Sequence, residues 1–121
     1  MIVFDMYNLF LDDIRNPWNV AYMTLPKVDW IIVRNYDEFV KEISTNGLPE
    51  IISFDHDLSF FDIDKTDGFI EKTGYDCAKW LINYCSKNNL MPPKYYVHSM
   101  NPVGKQNIIN YIECYIKSLI K

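Results

Sequence analysis

Little in this sequence suits an exported scaffold or a membrane protein. Its three cysteines, Cys77, Cys85 and Cys114, form no C-x-x-C pair and sit inside apolar-periodic stretches. They read as reduced thiols of a cytoplasmic protein, not as a disulfide frame or a zinc site. The first residues, MIVFDMYNLFLDD, have no basic region and meet acidic residues early, so no secretory signal is expected. No apolar run approaches the length of a membrane span. Basic charge is also short: 12 Lys and Arg against 16 Asp and Glu leave a net charge of -4. That balance excludes a sequence-independent grip on duplex nucleic acid, which needs a basic face. A small anionic ligand stays compatible, because a few cations, a helix amino terminus or a metal suffice to hold it. There is no internal repeat and no low-complexity tract.

What is present is enough apolar material for one core. At 121 residues and 49% hydrophobic content, residues 1–121 are expected to form a single domain. Four short β-rich runs are expected at Tyr7 to Leu11, Trp30 to Val33, Ile51 to Phe54 and Tyr95 to Val97. Helical spacing appears in Tyr36, Phe39, Val40 and Ile43, with Gly47 as a stop, and again in Ala78, Leu81, Ile82 and Cys85 after Gly74. A last helix, introduced by Gly104, carries Ile108, Ile112, Ile116 and Leu119 on one stripe. Ile14 to Pro17 reads as a loop, and Leu58 to Thr73, rich in Phe, Asp and Gly, as a long loop and lid candidate. Asp62, Asp64, Asp67, Gly68 and Glu71 in that loop do not keep calcium-loop spacing.

Strands alternating with helices imply parallel pairing, so the strand ends gather polar residues on one edge. Three strands end in chemistry: Asp12 and Asp13, then Asp55, His56 and Asp57, then His98 and Ser99. Open α/β sheets place their ligands at this edge. Four carboxylates converging there repel one another unless a cation sits among them, and oxygen ligation suits magnesium, manganese or calcium. The only two histidines, His56 and His98, both fall in these segments, where imidazole can act as general acid, general base or ligand. Neither is followed by the H-x-S/T pattern of two-histidine phosphoesterases. Asn101, Gly104, Lys105 and Asn107 surround the start of the last helix, where free N–H groups can hold an anion. Arg15 can fork onto a phosphate or pair with a neighbouring acid.

The segments LDDIRNP, W-x-x-V-R, ISFDHDL, TGYD before an apolar helix, and VHSMNPVGKQN occur in that order over nearly the whole chain. Together they resemble the cyclic-phosphate processing receiver-like family. The resemblance implies a receiver-like α/β fold: a three-layer α/β/α sandwich with a parallel sheet of about four strands in the order 2-1-3-4, helices lying on both faces. It also implies a link to cyclic phosphates on nucleotides or RNA ends. Asp12 and Asp13 match the acidic pair of a signalling receiver, Asp55 its phosphoacceptor, and Ser99 its hydroxyl position. No fifth strand with the essential lysine follows, which disfavours reversible aspartyl phosphorylation.

Residues and resemblance together lead to the expectation of a metal-dependent phosphoesterase. Asp12, Asp13, Asp55 and Asp57 hold a divalent ion, magnesium or manganese. His98 or His56 delivers a proton, and Arg15, Ser99, Asn101 and Lys105 orient the phosphate. A covalent intermediate on Asp55 is conceivable from the fold. Of the histidines, His98 is expected to touch substrate, while His56 is expected to turn aside and support the site. Two rivals stand beside this reading: a domain that binds a cyclic nucleotide without cleaving it, and a degenerate receiver used for protein contact.

Overall fold

The computed structural model describes residues 6–58 and 72–120. The lid candidate therefore lies, apart from its first residue and last two, outside the described residues. Four strands, β1 (Asn8–Leu11), β2 (Trp30–Val33), β3 (Ile51–Phe54) and β4 (Lys94–Val97), form one parallel sheet in the order β2-β1-β3-β4. Leu11 is in register with Val33 on one side and Phe54 on the other, and Phe54 with Val97. All four strands thus finish at one level. The expected order and receiver-like fold are what the chain adopts.

The sequence dictates the helix boundaries through their caps. Helix α1 (Tyr36–Asn46) starts where the Asn35 side chain accepts a hydrogen bond from the Glu38 amide, and stops at Gly47, whose φ of 82° favours glycine. Helix α2 (Gly74–Lys87) opens on a capping box in which Thr73 and Asp76 satisfy each other's backbone N–H. Helix α3 (Pro102–Leu119) starts two residues before Gly104, with Asn101 as cap and Pro102 in the first turn. The Asn101-Pro102 pair is the helix start itself, because proline lacks the donor that a first turn leaves unused.

The sheet has two unlike faces. Leu9, Leu11, Val33, Ile52, Phe54 and Val97 share one face and pack with Phe39 and Ile43 of α1, Cys77, Leu81 and Cys85 of α2, and Ile108 and Ile112 of α3. Helix α2 contacts both α1 and α3, so the three helices lie side by side. Removing one large side chain from this cluster, as in Leu81→Ala, costs about 2–5 kcal/mol by the cavity it leaves. The opposite face presents Phe10, Trp30 and Ser53. Among the described residues the β1–β2 connection, with a short 3-10 turn at Pro17–Asn19, borders this face beside Trp30 and Ile32. The loop expected over Ile14 to Pro17 leads into that turn.

Candidate functional site

Backbone pairing continues one residue past the strands and fixes the side chains of the site. The Asp12 amide donates to Val33 O at 3.1 Å, Asp55 to Leu11 O at 2.9 Å, and His98 to Phe54 O at 2.9 Å. Ligand atoms of Asp12, Asp55 and His98 consequently lie within 4.8 Å of one another. In front of them opens a cleft of about 530 Å³, lined among others by Asp12, Asp13, Arg15, Asp55, Asp57, Ser99 and Asn101. His56, His98 and Lys105 fall outside that lining.

Asp12 is fully buried, and both of its oxygens are committed. Oδ1 accepts from the Ile14 amide at 3.0 Å and the Arg15 amide at 2.7 Å. Oδ2 meets Arg15 Nη1 at 3.2 Å and His98 Nε2 at 2.9 Å. Burial alone would raise this carboxyl, but the bonds from His98 and from the two amides outweigh it and hold it well below the usual carboxylate range.

His98 is behind Asp12, not in the cleft. It has no exposed surface, stacks on Phe10 with ring centroids 4.5 Å apart, and places Nδ1 2.7 Å from Ser53 Oγ. Burial holds its pKa below the ordinary imidazole value against the opposing pull of Asp12. A neutral ring has one N–H, and a carboxylate can only accept, so Nε2 donates to Asp12 while Nδ1 accepts from the Ser53 hydroxyl. Tyr22 donates its hydroxyl to the His98 carbonyl, and its ring lies 5.8 Å from the Arg15 guanidinium. The expectation that His98 touches substrate does not match this placement. A strand-end residue continuing the β4 ladder turns toward the sheet's second face here, where Phe10 and Ser53 enclose it.

Asp55 is only 5% exposed. Its Oδ1 accepts from the His56 amide at 2.8 Å, and Oδ2 lies 3.9 Å from Arg15 Nη1. Burial pushes its pKa up to about 7, the charge of Asp12 adding to the effect and the His56 amide and Arg15 opposing it. Arg15 is thus the cation set between the carboxylates of β1 and β3.

The His56 ring stands over the first turn of α3. A Cβ on Gly104 would lie 2.3 Å from His56 Cγ, so glycine is what admits the ring. A Cβ on Gly74 would likewise lie 1.7 Å from the Asp55 carbonyl oxygen, where the Gly74 amide donates to His56 O at 2.7 Å. His56 Nδ1 is 2.8 Å from Asp57 Oδ1, and Asn101 Nδ2 donates to the same oxygen at 3.5 Å. Asn101 Oδ1 is taken by the Gly104 amide at 2.9 Å, and Ser99 Oγ accepts from the Asn101 amide at 3.1 Å. Asn101 therefore serves first as a helix cap. Lys105 donates its backbone N–H to Asn101 O at 2.8 Å.

Three supporting residues were not identified from sequence. Arg34 donates to Asp12 O at 3.2 Å, Arg15 O at 2.6 Å and Asn16 Oδ1 at 2.7 Å, and so fastens the loop that carries Arg15. It is the arginine of W-x-x-V-R, visible in the motif but without a readable partner. Ser53, a hydroxyl inside a buried strand, was a detectable signal because such a group needs a partner. Tyr22 gave none.

Parallel strands ending in acids around one arginine, with a hydroxyl at the end of β4, define a receiver-like α/β domain with an acidic cleft. The family model of the Cyclic-phosphate processing Receiver domain matches residues 7–114, and the chain belongs to that family. Comparison with curated proteins and with solved structures returned no match. Among the described residues no helix is long and apolar enough to cross a membrane.

Proposed function

We propose that the cleft binds a cyclic phosphate of a nucleotide or RNA end and hydrolyses it to the monoester. The observation that carries this reading is the juxtaposition of Arg15 with buried carboxylates from β1 and β3, 3.2 Å from Asp12 and 3.9 Å from Asp55. An anion is met by the guanidinium fork, and the acids beside it suit a counter-cation. Asp13, Asp55 and Asp57, which line the cleft, would hold a divalent ion, magnesium or manganese, beside an Asp12 bonded to Arg15 and His98. Hard carboxylate oxygens fit such an ion on donor chemistry. When bound, it supplies Lewis-acid polarisation of the phosphoryl group.

Arg15 and Ser99 orient the phosphate. Water adds to phosphorus, the bond to one ring oxygen breaks, and the departing alkoxide takes a proton. In this reading His56, bonded to Asp57, feeds that proton, while His98 acts through Asp12. Three free thiols agree with a reducing, cytoplasmic setting. One observation favours a second reading: no histidine lines the cleft, which suits a domain that sequesters a cyclic nucleotide without cleaving it.

Phosphorus NMR of purified protein with 2',3'-cyclic and 3',5'-cyclic nucleotides, with magnesium, manganese or chelator, separates the readings. Conversion to monoester, lost in Asp55→Asn, is the expected result. Binding without conversion selects sequestration, and no binding of either ligand class refutes both.

A further inference from the structure

Past Arg15 the chain leaves the acidic cleft and borders a second concavity, about 570 Å³ in volume, whose walls include Pro17, Trp18, Val20, Leu25, Val28 and Trp30. These residues are apolar, and none of them lines the cleft. Trp18 is 75% exposed. An indole carries a large apolar area, and leaving most of it in water forgoes a burial that folding normally takes.

The turn that carries the exposed indole is tied at several points. The Asn19 amide donates to Asn16 O at 2.9 Å and the Val20 amide to Pro17 O at 3.2 Å, closing the 3-10 turn on which Trp18 stands. The Asn16 amide donates to Asn19 Oδ1 at 2.9 Å. Arg34 then binds Asn16 Oδ1 at 2.7 Å and Arg15 O at 2.6 Å. One guanidinium therefore fixes both the residue that faces the carboxylates and the turn that presents the indole. The two residues are three apart in the chain, so their Cα atoms lie at most about 11 Å from each other.

A cation in a polar cleft and an exposed aromatic on the next turn of the same tied loop match a ligand with an anion at one end and a flat π-system at the other. We infer that the groove beside Trp18 receives the nucleobase of a nucleoside cyclic phosphate, with the base stacked on the indole. The inference rests on the cyclic-phosphate reading of the cleft and names its substrate class: nucleosides, not base-free cyclic phosphates. The groove's volume is that of a small-ligand site. A protein partner would need about 800 Å² of surface on this side, far beyond one slot between a turn and an edge strand. Stacking on an aromatic is tolerant of base identity, so modest preference among bases is expected.

The test is calorimetric titration of wild type, Trp18→Ala and Trp18→Phe, in magnesium, with adenosine 2',3'-cyclic phosphate and with glycerol 1,2-cyclic phosphate, which keeps the ring phosphate and lacks a base. Trp18→Ala should weaken nucleotide binding about 5- to 150-fold, leave the glycerol ligand unchanged, and be largely restored in Trp18→Phe. If wild type binds both ligands and Trp18→Ala binds the nucleotide equally well, the base site is wrong while the cleft reading survives. Equal weakening of both ligands also overturns it, because Trp18 would then act through the cleft. Failure of wild type to bind either ligand removes the cleft reading and this inference together.

Discussion

Replacing Asp55 by Asn should stabilise the metal-free protein at alkaline pH, although it deletes a residue of the site. The Asp55 carboxyl rises from an ordinary 3.8 to about 7 in the fold, chiefly because ionising it there means placing a buried charge beside Asp12. At about 1.36 kcal/mol per pH unit, that rise corresponds to about 4 kcal/mol. A group whose folded pKa lies above its unfolded value binds more protons when folded. Its contribution is fully present below pH 3.8 and is lost as pH rises to about 7, after which it stays lost. Asp12 runs the other way: held low by His98 and the amides, it contributes above the ordinary carboxylate range and weakens the protein only in acid. Asn keeps an oxygen for the His56 amide and has no proton to lose. Urea titrations in chelator should therefore show wild type about 3 kcal/mol less stable at pH 8 than at pH 5 from this group, with that part of the loss absent in Asp55→Asn. Magnesium at a hundred times its Kd should return about 2.7 kcal/mol to wild type at pH 8 and little to the variant. A difference between wild type and variant that is the same at both pH values would show that Asp55 is not the titrating group.

Two further substitutions probe the packing behind the cleft. Gly104→Ala should destabilise by about 1–3 kcal/mol through overpacking against His56, and the cost should shrink in a His56→Ala background in a double-mutant cycle read by denaturant melts. Ser53→Ala should cost about 1–3 kcal/mol by leaving the buried Nδ1 of His98 without its donor. Nitrogen NMR of the ring should then show a shifted Nδ1 resonance with the proton still on Nε2, and unchanged ring shifts would contradict the Ser53–His98–Asp12 assignment.

The elements that were legible in sequence are those whose signal is local. Buried β-rich runs gave all four strands within a residue, since Ile51 to Phe54 has no other use for consecutive apolar residues between turn formers. Acids after β1 and β3 could be placed together because parallel pairing forces strand ends to one edge. The depth of each side chain could not be read this way. Whether His98 faces the cleft or the sheet's second face depends on the ring of Phe10 and the hydroxyl of Ser53, which reach it from strands 88 and 45 residues away in the chain. Lys105 was placed at an anion site by its closeness in sequence to Asn101, yet the helix turn carries it out of the lining. Gly104 was read as the start of α3, where its function is to clear space for His56. The lid candidate and its acidic residues fall mostly outside the described residues.

The cation of this site comes from a different element than the lysine of a signalling receiver. A signalling receiver supplies its positive charge from a lysine that follows a fifth strand. Among the described residues here the sheet ends at β4, and α3 follows it directly. The charge near Asp55 comes instead from Arg15, at the end of β1, with its guanidinium pinned to Asp12 on one side and its backbone pinned by Arg34 on the other. An arginine so fixed presents a planar fork that does not lose its proton and matches two phosphate oxygens at once. Under the proposed function it would hold a phosphate in front of Asp55, whose carboxylate it approaches at 3.9 Å. Asp12, with both oxygens spent on that fork, on His98 and on two amides, is left no free oxygen for a cation. The division of labour within the acidic edge follows from those hydrogen bonds: Asp12 fixes Arg15, and Asp55 meets the same guanidinium from β3 at the longer distance of 3.9 Å.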